Sequence, residues 1–285
     1  MKILITGAKG QLGNKLIEIL GTRHELLLTD SDTMDIMDSN ATNEKILGEK
    51  PDFIIHAAAY TKVDQAETDR DLAYKINATG TKNVAEAAKK NGVTLIYIST
   101  DYVFDGEAST PYKEDDPTDP VNYYGETKLA GEKFIQEICD KFYILRTSWL
   151  YGELPEGHPG SNFVETMLRL AKDRDELNVV DDQTGSPTYT GDLVAVIEKL
   201  LKTDSSMPYG TYHVSGEGET TWFKFAKKIF EAEKVKIKIN PITTDKYPTP
   251  AKRPKYSCLS KEKLRNNGIK VRPWEEGLSE YLSKR

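Results

Sequence analysis

Residues 2–6 read Lys-Ile-Leu-Ile-Thr, a short β-branched run, and it leads straight into three glycines spaced by two residues, Gly7, Gly10 and Gly13. No other feature of the chain narrows its fold as far. A strand ending at Gly7 needs a tight turn there, and a second glycine lets the backbone come close to a pyrophosphate. The third lets a helix pack closely on the strand it has just left. That helix is expected from Gln11 onward, with Leu12, Leu16, Ile19 and Leu20 on one face. Its N-terminal amides carry positive potential and suit an anion. A dinucleotide is therefore expected against Gly7, Gly10, Gln11, Leu12 and Gly13.

The first half of the chain goes on alternating. Strand patterns cover residues 25–30, 52–59, 94–100 and 142–146, and helical patterns cover 71–90, closed by Asn91-Gly92, and 124–139. Alternation of this kind predicts an α/β fold built on a doubly wound parallel sheet. Residues 1–150 are read as the dinucleotide-binding domain and 151–285 mainly as a smaller C-terminal substrate-binding lobe. A later return to the sheet is expected near 185–215, with Gly210–Ser215 as the returning strand. Residues 152–160 read as a loop and 162–172 as an amphipathic helix. The proline-studded stretch 240–254 should be extended and solvent-facing.

Composition excludes several classes. A net charge of −6 over 285 residues argues against nucleic-acid binding, which needs a basic face. Cys139 and Cys258 are the only cysteines, so no disulfide framework or CxxC metal or redox motif is available. The opening residues carry no basic-then-apolar leader, and the longest apolar runs are strand-sized. A cytoplasmic protein without membrane partners is expected.

Asp30 ends the second strand pattern, where a carboxylate accepts from adenosine ribose hydroxyls and favours NAD(H), although capping a turn with Ser31 and Asp32 is the plainer reading. Lys9 is placed to meet a 2′-phosphate, so NADPH and NADH both stay open. Ala57, Ala58 and Ala59 end the third strand and are small enough for a cofactor to lie on, or simply for a helix to pack on. Thr100 ends the next strand, and Tyr124 and Lys128 follow one helical turn apart. The Tyr-Lys spacing alone is what chance produces; its position after the glycine loop carries the information. A phenol of pKa ≈ 10 holds its proton tightly, and a neighbouring ammonium lowers that value. Tyr124 then serves as proton donor to a carbonyl, Lys128 tunes it and holds the nicotinamide ribose, and Thr100 positions the carbonyl. The plain alternatives are a surface tyrosine, a solvated lysine and an N-cap threonine.

Longer segments carry a resemblance. They are Ser99-Thr-Asp-Tyr-Val-Phe-Asp-Gly106, Asn122-Tyr-Tyr-Gly-Glu-Thr-Lys-Leu-Ala-Gly-Glu132, Arg146-Thr-Ser-Trp-Leu-Tyr151, Asp182-Gln-Thr-Gly-Ser-Pro-Thr188 and Tyr247-Pro-Thr-Pro-Ala-Lys-Arg-Pro254. With residues 162–171 they resemble the extended short-chain dehydrogenase/reductases and, more narrowly, the dTDP-4-dehydrorhamnose reductase family. The resemblance implies a Rossmann-type sheet and NAD(P)H-dependent reduction of the 4-keto group of dTDP-4-dehydro-6-deoxy-L-mannose to dTDP-L-rhamnose. It also implies that Thr100, Tyr124 and Lys128 are catalytic, that Asp101, Tyr102 and Trp149 lie near the sugar, and that Asp35 and Ile36 meet the adenine. Asn77 falls on a supporting helix. Arg253 is the candidate for the diphosphate, with a solvated loop arginine as its alternative. Some members bind magnesium at a dimer interface through a glutamate in the first helix; Asn14-Lys15 stands there in this chain, which puts such a metal in doubt and leaves monomer and homodimer open. A non-catalytic regulatory subunit like that of methionine adenosyltransferase, or a reductase or epimerase of another dTDP-4-keto sugar, are the competing readings.

Overall fold

The computed structural model describes residues 1–157, 162–202 and 207–285, so the end of the loop expected at 152–160 lies outside the described residues. Its centre is a six-stranded, fully parallel sheet. The strands are β1 (Lys2–Thr6), β2 (Glu25–Thr29), β3 (Phe53–His56), β4 (Thr94–Thr100), β5 (Phe142–Thr147) and a last strand, Gly210–His213. Across the sheet the order is Gly210–His213, β5, β4, β3, β1, β2. The chain leaves β1 toward β2 on one side and resumes with β3 on the other. That reversal opens a crevice at the carboxyl ends of β1 and β3, the place where such sheets bind ligands.

Side chains alternate across the strands, and each face is covered by helices. Ile3 and Ile5 face α1 (Gln11–Leu20) and the helix Thr190–Leu200, meeting Leu12, Leu16, Leu193 and Ile197. Leu4, Ile54 and Leu95 point the other way, toward Val84, Ala88 and Ile135 on the helices Thr81–Asn91 and Tyr123–Ile138. A separate core joins Val164, Leu168, Leu177, Phe225, Ile229, Trp274 and Leu278 beyond the strand ends. No helix of the described residues is long and apolar enough to cross a membrane.

Two local expectations need correcting. The helix read over 71–90 is three pieces: Arg70–Tyr74, a π-type stretch Lys75–Gly80, and Thr81–Asn91. The widened turn coincides with Asn77, whose buried side chain hydrogen-bonds out of the helix to Tyr60 and Thr127. Stretch 240–254 is not solvent-facing throughout. Lys238–Ile242 pairs in parallel with Glu176–Val180, and the end of the stretch folds back until Ala251 and Pro254 are buried. Pro254 lies so close to Gly106 that a Cβ there would come within 2.4 Å of it.

Candidate active site

A cavity of about 800 Å³ opens at the carboxyl ends of β1, β3 and β4 and runs from Gly7 past Ala58 and Thr100 to Trp149. Its first wall is the glycine turn. Gly7 has φ +69, and a Cβ there would lie 2.8 Å from the Ala58 backbone; a Cβ on Gly13 would lie 2.4 Å from the Gly7 carbonyl oxygen. Both positions are closed to any side chain. Gly10, at the N-cap of α1, has no side chain to cap the helix, and the first residues of the helix line the cavity. This open, anion-seeking cradle fits a dinucleotide pyrophosphate. Gln11 donates its side-chain amide to the Leu150 carbonyl at 3.2 Å and accepts from Asn162 Nδ2 at 3.2 Å, both on the same cavity wall, and Leu12 is buried in the core.

The far wall carries the adenosine-side candidates. Asp30 accepts hydrogen bonds from the Lys9 and Ser31 amides at 3.0 and 2.8 Å, which holds the turn after β2 at the cavity mouth. The Lys9 ammonium pairs with Asp32, 2.6 Å away. Asp35 accepts from the Met37 amide, and Asn83 donates to the Ile36 and Met37 carbonyls, so this loop is tied to the helix Thr81–Asn91.

The chemical end is assembled from four elements. Asn122 caps the helix Tyr123–Ile138 by accepting from the Gly125 amide, and its Nδ2 donates to the Lys252 carbonyl. The first turn of the helix thereby fixes Tyr124 and fastens the returning tail over it. Thr100, at the end of β4, accepts from the Tyr102 amide at 3.1 Å and donates to Asp101 Oδ1 at 3.0 Å. Asn77 ties the Tyr60 backbone to Thr127, three residues past Tyr124.

Electrostatics differ from the expected tuning. Burial pushes the Tyr124 phenol above its ordinary value, the Asp101 carboxylate adds to this, and a hydrogen bond with Thr100 partly offsets it. Lys128 is itself pushed down, to about 7, by burial, with Glu132 pulling the other way. Its Nζ donates to the Ile98 carbonyl at 2.7 Å and stands 4.1 Å from the Tyr97 ring centroid. In the chain alone, desolvation decides the direction for the phenol, and the Lys128 charge is not among the causes acting on it. Burial also raises Asp101, to about 7, opposed by hydrogen bonds from Ser257 and Thr100.

Tyr102 lies edge-on to Tyr124 with ring centroids 6.0 Å apart. Trp149 lines the cavity, holds a left-handed φ of +47, and stacks on Trp222. Arg253 does not line the cavity. It stands behind Tyr102, donating to its hydroxyl at 3.2 Å, and pairs with Asp64 at 2.9 Å. Sequence reasoning missed Asp64, Trp222 and the buried set Ser99, Glu132 and Arg146. Glu132 carried the one usable signal, since it falls one turn past Lys128 on the same helix face. Lys15 is buried and pairs with Glu18 and Glu153, and among the described residues no group of three or more His, Cys, Asp or Glu is placed to hold a metal ion. Both cysteines are free and buried, and burial raises each thiol to about 11.

A parallel sheet with a glycine turn at its switch point, and a Thr-Tyr-Lys set beside the cavity, define a nicotinamide-dependent oxidoreductase of the extended short-chain dehydrogenase/reductase class. Residues 1–285 match a family model described as the RmlD substrate binding domain. The chain is 42% identical to the spore coat polysaccharide biosynthesis protein SpsK of Bacillus subtilis over 100% of this chain and 98% of that protein. It is 41% identical to dTDP-4-dehydrorhamnose reductase of Escherichia coli K12, again over 100% and 98% of the two chains. A crystal structure of dTDP-4-dehydrorhamnose reductase from Bacillus anthracis in complex with NADP superposes with a TM-score of 0.94 at 47% identity, covering 100% of this chain and 99% of that one. The chain belongs to the dTDP-4-dehydrorhamnose reductase family.

Proposed function

We propose that this chain reduces the 4-keto group of dTDP-4-dehydro-6-deoxy-L-mannose to give dTDP-L-rhamnose, with Tyr124 as the proton donor. The observation that carries the reading is the convergence of Thr100, Tyr124 and Lys128 on the cavity that begins at the Gly7 turn. When bound, NADPH or NADH supplies hydride to the carbonyl carbon. Gly7, Gly10 and Gly13, with the first amides of α1, hold its pyrophosphate. Asp30, Asp35 and Ile36 face its adenosine end, and Ala57, Ala58 and Ala59 line the floor between.

A donor must keep its proton until negative charge develops on the sugar oxygen. Burial does this for Tyr124, whose raised pKa keeps the phenol protonated through neutral pH. The alkoxide that forms is far more basic than a phenolate, so transfer from Tyr124 Oη to the 4-oxygen runs downhill. Thr100 Oγ1 positions that oxygen, and the Lys128 ammonium stabilises the phenolate left behind and holds the nicotinamide ribose. Asp101, Tyr102 and Trp149 surround the sugar, and Arg253 reaches the diphosphate from behind Tyr102. The substrate is a soluble sugar nucleotide, so the protein works in the cytoplasm, as a monomer or homodimer, with no nucleic-acid or membrane partner.

The test is oxidation of NADPH and NADH at 340 nm with a panel of dTDP-4-keto-6-deoxy sugars, with product analysis. Turnover restricted to the 4-dehydrorhamnose substrate is expected. Turnover of another sugar only would reassign the substrate, and none with any sugar would end the reductase reading. Tyr124→Phe should keep dinucleotide binding and lose at least about a hundredfold in turnover, the scale of general acid catalysis.

A further inference from the structure

Glu132 is fully buried four residues past Lys128, one turn along the same helix. Both of its oxygens are held by Arg146, from Nε at 3.0 and 3.2 Å and from Nη2 at 2.7 Å. Oε1 also accepts from the Ser99 hydroxyl at 2.5 Å. Ser99 precedes Thr100 on β4, and Ser99 and Arg146 are direct partners in the β4–β5 register. One carboxylate thus joins the strand that ends in Thr100 to the helix that carries Tyr124 and Lys128. A buried ion pair adds little net stability over a well-packed apolar pair, so stability alone is a poor reason for two charges here.

Resting on the reductase reading above, we propose that Glu132 is a positioning residue of this site. Through Ser99 and Arg146 it fixes the Tyr124 helix against the ends of β4 and β5, and it supplies the counter-charge for the Lys128 ammonium. The surroundings of Lys128 leave that duty to Glu132. From β4 it meets the Tyr97 ring and the Ile98 carbonyl. From β3 it faces His56, which burial keeps neutral by pushing it down to about 3. On its own helix Tyr124 is kept protonated by burial, with Asp101 beside that phenol rather than beside the lysine. Behind Glu132, Arg146 continues to the Glu114 carbonyl and to His213, a neutral buried imidazole, while the Glu114 carboxylate accepts from the His213 amide. Glu132 is the carboxylate that opposes the desolvation of Lys128.

The experiment is the pH profile of kcat/KM and of NADPH affinity for the wild type, Glu132→Gln and Glu132→Asp, with a thermal midpoint for each. An ammonium is present below its pKa and lost as pH rises through it, so removing the counter-charge moves the alkaline limb to lower pH. A displacement of about one pH unit is expected in Glu132→Gln, with about tenfold lower kcat/KM at pH 8 and partial recovery in Glu132→Asp. An unmoved limb overturns the proposal, whatever happens to the thermal midpoint. The variant Glu132→Gln/Arg146→Met removes both buried charges and carries the test where the single variant does not fold. A limb still displaced there supports the proposal, and a wild-type limb shows that Glu132 merely accompanies Arg146. Failure of both variants to fold assigns Glu132 to the fold alone and overturns it equally. A wild type that binds NADPH but reduces no sugar would remove the reductase reading instead, and the pH dependence of NADPH affinity would then decide the role of Glu132.

Discussion

Trp149 lies flat on Trp222, with ring centroids 3.5 Å apart and 9° between the planes, although Trp149 itself holds a left-handed φ of +47. A bulky residue in that region costs on the order of 1–3 kcal/mol, and it persists only where its surroundings over-determine it. Gly185 provides one such constraint, since a Cβ there would stand 2.5 Å from the Trp149 ring. Trp222, at the start of the helix Trp222–Ala232, provides the other. The second core therefore reaches the cavity through this stack, and Trp149 is the member of it that lines the wall.

Trp222→Ala should loosen Trp149 without touching the dinucleotide cradle. An aromatic pair contributes about 1 kcal/mol beyond burial, roughly a fivefold change in affinity. The KM for the sugar nucleotide is expected to rise by about that factor while the Kd for NADPH stays constant. Steady-state kinetics and fluorescence titration read the two quantities. An unchanged KM would mean that the stack serves only the fold of the second core.

Arg253 is held between Asp64 and the Tyr102 hydroxyl, and Asp64 therefore competes for any guanidinium contact with a diphosphate. Arg253→Met should raise the sugar-nucleotide KM by about tenfold or more, the scale of a charge-assisted hydrogen bond. Asp64→Asn should lower KM instead, because it releases the guanidinium. If Asp64→Asn weakens binding as much as Arg253→Met does, the carboxylate orients Arg253 rather than competing for it.

What the sequence made legible follows from how local each signal is. The glycine turn and the parallel strands are written in consecutive residues, so spacing and periodicity expose them, whereas Thr100, Tyr124 and Lys128, which all line the cavity, stand out only by their order after the glycine turn. Asp64 and Arg253 are 189 residues apart, and only the folded tail brings them together. Trp222 is equally silent and Glu132 shows only its place one turn past Lys128, since each matters for what a distant strand or loop places against it. The widened turn at 75–80 was hidden for another reason. Its apolar pattern is that of an ordinary helix, and only the buried hydrogen bonds of Asn77 distinguish it. Prolines in 240–254 indicated extended backbone, but backbone conformation does not say what the chain will cover.

Gly13→Ala tests whether the close approach of α1 to the turn governs cofactor binding. The added Cβ would meet the Gly7 and Ala8 carbonyl oxygens at 2.4 and 2.5 Å, backbone atoms that cannot swing aside. The helix must shift, and the amides of its first turn shift with it. Overpacking of this kind costs about 1–3 kcal/mol, so NADPH affinity should fall by about tenfold or more and the thermal midpoint should drop. Tight NADPH binding by a folded Gly13→Ala protein would show that the cradle tolerates the shift.

His56 makes a pH prediction whose sign follows from its burial. It is fully buried, bridging Thr6 Oγ1 at 2.7 Å and Thr81 Oγ1 at 3.1 Å, and stacks on Tyr97. Burial first, and the Lys128 charge second, push its pKa down to about 3. In the unfolded chain the imidazole titrates near 6.5. Between those values the unfolded state binds a proton that the folded state refuses, so the contribution of His56 to stability is complete above pH 6.5 and is lost as pH falls toward 3. The slope is about 1.4 kcal/mol per pH unit for one such group. Asp101 and Asp192 act in the opposite direction, because burial raises them to about 7 and about 6 and the folded state then takes up protons first. The wild-type curve alone therefore does not isolate the histidine, but its difference from His56→Gln does. Urea unfolding at intervals between pH 6 and 4.5 should show the wild type losing about 1.4 kcal/mol per pH unit relative to the variant. Parallel curves would mean that the imidazole is protonated inside the fold, held by the threonine hydroxyls despite its burial.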